Sequence, residues 1–216
     1  MALIEALAIG AGLAALTLGA AKKMFPAGSG RVDRDTDTLR AEMASVSDEL
    51  IPLGREELNQ LAYNRQEEAV KTPAGLKYRR GTLSTVYHEP WAMYGNKVYG
   101  GLGKTVATTV IRTRNFEIVY KERGKRTTVE INGRVIGLLT GKKLLGGKKM
   151  NQELARITER PGNEYFPIHV AGKEVGGLTN RTMTDQPLPR LFQFLQPVEA
   201  GQLAYLLAVV LPELFD

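Results

Sequence analysis

The stretch QLAYLLAVVLPELFD, residues 202–216, decides the fold. Placed on a helix, Leu203 to Leu211 is apolar on every side, and such a helix lies either in lipid or enclosed by protein. The run is far shorter than the ~20 residues that span a bilayer. Extending it backward meets Gln202, Glu199, Pro197 and Gln196. Enclosure is therefore expected: a core helix over residues 198–211, with Glu199 in its first turn and Pro212 near its end.

What encloses it is read from the preceding residues. From about Leu76 the periodicity is that of strands: Tyr78–Tyr87, Lys97–Tyr99, Val106–Arg112, Phe116–Tyr120, Thr127–Ile131, Arg134–Leu139, Leu154–Thr158, Tyr165–Val170 and Glu174–Leu178. Thr, Val, Ile and Tyr dominate these runs, and turn residues such as Asn132-Gly133, Pro161-Gly162-Asn163 and Ala171-Gly172 divide them. Many short strands without intervening helices make an antiparallel barrel or sandwich. Within them VEINGRVIGLLT (129–140) and IHVAGKEVGGLT (168–179) repeat one form: a strand, a two-residue turn, a strand with an interior glycine, then Leu-Thr. Asn-Gly is the type I′ hairpin signal, and the interior Gly137 and Gly176-Gly177 mark bulges or a close backbone approach. The expected fold is mainly β: an antiparallel barrel or curved sheet over residues 72–216, around a buried C-terminal helix.

Repeated strand pairs with an interior glycine, NGRVIGLLT and AGKEVGGLT, followed by a short Ala/Leu/Val helix, resemble the tubby, phospholipid-scramblase and LURP-one superfamily. The resemblance covers residues 76–216. It implies a closed barrel of about a dozen strands around an apolar C-terminal helix, and association with membranes or lipid. It carries over no catalytic residues.

Upstream, ALIEALAIGAGLAALTLGAA (2–21) is apolar but for Glu5, and 20 residues rise about 30 Å, the thickness of a bilayer's hydrocarbon. Lys22, Lys23, Arg31 and Arg34 follow the run, opposite to a cleaved signal peptide. Residues 1–23 are thus expected to be a single-pass transmembrane anchor, with the N-terminus outside and residues 22–216 cytoplasmic. Small residues from Ala8 to Gly19 (8–19) allow self-association. Residues 24–71 are expected to form an acidic helical connector: a flexible exit at 25–30, a helix capped by Asp37 or Thr38, and a second helix from Arg55 to Val70. The heptad spacing of Leu39, Met43, Val46, Leu50 and Leu53 (39–53) either docks on the next domain or pairs with a second copy. Asp33, Asp35 and Asp37 begin like a calcium loop, but Thr38 and Ala44 occupy its glycine and bidentate-acid positions.

Net charge is +6 over 216 residues, yet residues 31–71 carry −4 and residues 72–182 carry +12. The basic clusters are Lys77-Arg79-Arg80, Arg123-Lys125-Arg126, and Lys142-Lys143 with Lys148-Lys149. Each cation near anionic headgroups contributes about 1 kcal/mol. A nucleic-acid surface is not expected, because Tyr78, Tyr87, Tyr94 and Tyr99 alternate with core positions and supply no stacking platform.

Nothing names a reaction. There is no cysteine, hence no thiolate nucleophile or thiolate metal site. Gly100–Thr105 lacks the first glycine and following helix of a P-loop, His88 and His169 stand alone as metal ligands, and no serine lies in a G-x-S-x-G setting. Neither cofactor nor metal is expected. The leading expectation is a membrane-anchored, non-enzymatic protein whose barrel binds anionic lipid, an apolar ligand or a partner protein. The alternatives are a membrane-tethered enzyme acting through glutamates (Glu89, Glu117, Glu122, Glu130, Glu153, Glu159, Glu164 or Glu174) and an assembly scaffold.

Overall fold

Alternating β-branched and aromatic residues cannot bury one face alone, and here they do so by curling around the C-terminal helix. A computed structural model describes residues 29–44, 47–71, 77–99 and 106–215. Helix α1 (Ser29–Ala44), a 3-10 turn (Ser47–Glu49) and one turn of helix α2 (Arg55–Leu58) precede twelve strands. These are β1 (Leu61–Lys71), β2 (Lys77–Thr85), β3 (Pro90–Tyr99), β4 (Val106–Thr113), β5 (Glu117–Arg123), β6 (Arg126–Ile131), β7 (Arg134–Thr140), β8 (Lys143–Gly146), β9 (Gln152–Ile157), β10 (Tyr165–Val170), β11 (Lys173–Thr179) and β12 (Phe192–Leu195). Every neighbour in sequence is an antiparallel neighbour in the sheet, from β1 to β12. The barrel nearly closes where Ala62 bridges Arg190. Here Leu191 N–H donates to the Leu61 carbonyl at 2.6 Å and Tyr63 N–H to that of Pro189 at 3.1 Å.

Helix α3 (Ala200–Val210), continued by a 3-10 turn at Leu211–Leu214, is the core. Leu206 through Leu211 are buried among residues of strands all round the barrel, including Leu83, Ile111, Ile118, Val129, Leu144, Ile168 and Leu178. Enclosure of an all-apolar helix is thus the observed arrangement. The Tyr120 hydroxyl on β5 donates to the Ala208 carbonyl at 2.9 Å, clasping helix to wall. Burial pushes this phenol well above the ordinary value of 10.0. A raised folded-state pKa favours the neutral form, so stability is full below pH 10, where the unfolded phenol titrates, and falls as pH rises beyond it. Tyr120→Phe is expected to flatten the fall of melting temperature above pH 10; an unchanged slope would remove Tyr120 as its source.

Both hairpins of the repeat form as their turns dictate. Asn132 and Gly133 take φ of 49° and 74°, Ala171 and Gly172 50° and 80°. Alanine in the left-handed region costs about 1 kcal/mol, which asparagine partly avoids. Ala171→Asn is expected to stabilise the barrel by about 0.5 kcal/mol or more, read from its urea midpoint; a lower midpoint would contradict this. Gly137 lies beside a register shift between Val129 and Glu130, where a Cβ would overlap the Leu145 carbonyl oxygen. That is the close backbone approach its place in the strand implied.

Two expectations need correction. Residues 61–71, assigned to the helical connector, form β1, so the barrel begins well before residue 72. Tertiary pairing overrides helical propensity there: Glu67 and Glu68 lie opposite Gly81 and Arg80 in the β2 register. The first connector helix starts at Ser29, within the stretch read as flexible, which leaves Asp37 and Thr38 in mid-helix with the Thr38 hydroxyl bonded to the Arg34 carbonyl at 2.9 Å. Of the readings of the 39–53 seam, docking on the next domain is the one these contacts match: Leu39 and Met43 pack on the outside of the barrel with Tyr78, Val110 and Val119, and Leu53 joins the main core. Val46, the anchor at 1–23, the small-residue face at 8–19 and the Gly100–Thr105 loop lie outside the described residues. Among the described residues no helix is long and apolar enough to cross a membrane.

Candidate functional site

In an antiparallel meander all connections from an odd strand to the next even one fall at one end of the barrel. This upper end carries the β1–β2, β3–β4, β5–β6, β7–β8, β9–β10 and β11–β12 connections. The first two basic clusters and the Lys142-Lys143 half of the third therefore gather there, while Lys148 and Lys149, between β8 and β9, mark the lower end. Lys77 opens β2. Lys125, Arg126 and Lys143 are exposed at the upper-end turns, and Lys148 and Lys149 are exposed at the lower one. Arg79 pairs with Glu67 at 3.4 Å, and Arg80 with Glu68. Arg123 is also engaged. Lys142 bonds Glu159 at 2.7 Å and also Glu213; burial works against its charge, but these carboxylates outweigh burial and raise its pKa. Among the described residues of these clusters, the cations left without an ion pair at the upper end are Lys125, Arg126 and Lys143.

The upper end also opens inward. Arg65, Glu67 and Ala69 on β1 and Tyr94, Asn96 and Val98 on β3 alternate at period two and face the interior beyond the tip of α3. With Arg79, Phe215 and, at the rim, Tyr78, whose ring packs on the outer wall, they line a cavity of about 690 Å³. Phe215 stacks edge-on against Tyr94 with ring centres 4.7 Å apart, and Arg65 holds the chain end by donating to the Leu214 carbonyl at 3.0 Å. Glu67 accepts the Tyr94 hydroxyl at 2.8 Å. Burial and that carboxylate push the Tyr94 phenol upward. Two guanidiniums, one carboxylate and three apolar side chains suit a ligand that is apolar along one side and anionic at one point.

Helix α1 brings the acidic segment onto the outer wall. Asp33 reaches Lys121 at 3.0 Å, Asp35 reaches Lys97 at 3.3 Å, and the Thr36 and Thr108 hydroxyls are 3.0 Å apart. Further along the helix Arg40 Nε donates to Glu117 at 2.8 Å. Lys121 lies two residues from the upper end of β5 and Glu117 begins that strand at the lower end, so α1 runs from upper to lower end and its first residue, Ser29, sits at the upper end. The three aspartates of the abortive calcium loop are thus helix-face acids, two of them paired with barrel lysines.

Of the glutamates in the enzyme alternative, Glu117 and Glu130 converge. Glu117 is taken by Arg40 and by Arg112 at 3.3 Å, and Glu130 by Lys121 at 2.7 Å and Arg40 at 3.8 Å. Carboxylates so paired are held in their charged form and keep these cations in place. Among the described residues no three His, Asp or Glu side chains are grouped to hold a metal. The cavity residues of β1 escaped the sequence reading because LAYNRQEEAVK was taken for a helix; its one legible strand signal was Glu67-Glu68 facing Arg79-Arg80 across a short connection. No family model, curated protein or solved structure matches this chain.

Proposed function

We propose that this is a single-pass membrane protein whose barrel rests its upper end on an anionic inner-leaflet surface and binds lipid there without catalysing a reaction. One observation carries the reading. The start of α1, to which residues 1–28 lead, the unpaired Lys125, Arg126 and Lys143, and the open cavity all lie at the same end of the barrel. An anchor at residues 1–23 would leave that end facing the bilayer. Three cations at about 1 kcal/mol each then favour the docked orientation. Support for placing the chain near the tubby, scramblase and LURP-one superfamily comes from its twelve strands around an apolar C-terminal helix. β1, β8 and β12 bring the nine strands read from sequence to the dozen that the resemblance implies.

Both hydrophobic clusters lie within residues 29–215, so a chain of residues 24–216 retains the whole described core. It is expected to float with equimolar phosphatidylcholine–phosphatidylserine vesicles at low salt, to dissociate as salt screens the charges, and to stay unbound to phosphatidylcholine alone. Failure to float with the anionic vesicles, or equal flotation with both, would overturn the lipid reading.

A further inference from the structure

At the lower end, away from the proposed membrane face, the β4–β5 and β6–β7 turns and the second half of α1 enclose a concavity of about 390 Å³. Five of its nine lining residues carry charged or amide hydrogen-bond donors, Arg40, Arg112, Arg114, Asn115 and Asn132, around a single carboxylate, Glu117; Thr113, Phe116 and Gly133 complete the wall. That carboxylate is buried between the barrel wall and α1, with Arg40 Nε on one oxygen and Arg112 Nη1 on the other. It therefore fixes two guanidiniums side by side and leaves the other N–H groups of Arg112 without a carboxylate.

The two amides are oriented by the same logic. Asn115 Oδ1 accepts the Leu53 N–H at 3.2 Å, and Asn132 Oδ1 accepts the Glu117 N–H at 2.9 Å. Their acceptor ends are spent on the backbone, so each presents its NH₂. Arg114 is exposed and forms no ion pair among the described residues. An anion is the chemistry that completes such a lining. A tetrahedral phosphate accepts from several directions at once and suits donors that arrive from three separate elements better than a planar carboxylate does.

We infer that this concavity binds a small phosphomonoester, with Arg112 and Arg114 as the charged contacts, Asn115 and Asn132 as amide donors, and Arg40 with Glu117 as positioning residues. The site is independent of the lipid reading, since neither the anchor nor the upper end contributes to it. The volume leaves room for the phosphate and a few carbons.

The test uses the full chain in phosphatidylcholine vesicles, with melting temperature as the readout, because a ligand of the native state raises it by mass action. Glycerol 3-phosphate is expected to raise the midpoint while glycerol does not, and Arg114→Ala is expected to weaken the ligand about tenfold or more. Arg114 touches no other side chain in an ion pair, so the melting temperature of that variant without ligand is expected to match the parent. Arg112→Lys, which keeps the charge and loses the fork, is expected to weaken it as well. No shift at saturating glycerol 3-phosphate, an equal shift from sulfate, or a shift that survives Arg114→Ala would each overturn the site. Phosphatidic acid in the same vesicles separates the two sources of a phosphomonoester. A site facing away from the bilayer is expected to ignore it, and a shift lost in Arg114→Ala would contradict that placement.

Discussion

Leu207→Ala is expected to cost the barrel about 2–5 kcal/mol. Leu207 is fully buried in the middle of α3, and its neighbours Leu206 and Ala208 are buried as well, so removal of three carbons leaves a void walled by strands that hydrogen-bond to one another and cannot collapse inward. A domain of this kind is stable by only about 5–15 kcal/mol in total. Leu203, one turn earlier and only half-buried, offers the internal control: Leu203→Ala is expected to cost distinctly less. Urea unfolding checks both. A loss below about 1 kcal/mol at Leu207 would mean that the helix is not the element on which the barrel closes.

The second large effect concerns the upper end. Lys125→Gln, Arg126→Gln and Lys143→Gln together remove three unpaired cations from it, and at about 1 kcal/mol each the loss is roughly 3 kcal/mol, about two orders of magnitude in affinity for anionic vesicles. None of the three side chains is buried or ion-paired, so the fold is expected to be unaffected. Lys148→Gln with Lys149→Gln removes two charges from the opposite end, and vesicle affinity is expected to stay near the parent value. Equal losses from both sets would show that net charge, and not the placement of charge, governs binding.

The contrast between these two sets shows what could be read from residues alone. The enclosed helix was legible because nine apolar residues are too few for a membrane and too apolar for a surface. The hairpins were legible because Asn132-Gly133 and Ala171-Gly172 permit few other conformations. Strands β8 and β12 were not, since KLLG and FQFL are four residues long and show no period of their own. The grouping of basic clusters was hidden for a different reason. Lys77, Lys125 and Lys143 come together only because every odd-to-even turn of a meander falls at one end, a fact of topology that no local window contains. Partnering was equally invisible: Lys142 looked like its neighbour Lys143, yet it is bound to Glu213 at the far end of the chain. The arginine concavity draws on β4, β5 and the β6–β7 turn, which the sheet places side by side, and on Arg40, which the docked α1 adds.

The absence of cysteine makes the orientation of the barrel directly measurable. A single cysteine placed at Lys125→Cys or at Lys149→Cys is the only thiol in the chain, and an environment-sensitive fluorophore on it reports on one end of the barrel. With the full chain in phosphatidylcholine–phosphatidylserine vesicles, a quencher carried on the lipid headgroups is expected to quench the label at 125 strongly and the label at 149 weakly. Equal quenching at both positions, or stronger quenching at 149, would contradict a barrel that meets the membrane with its upper end.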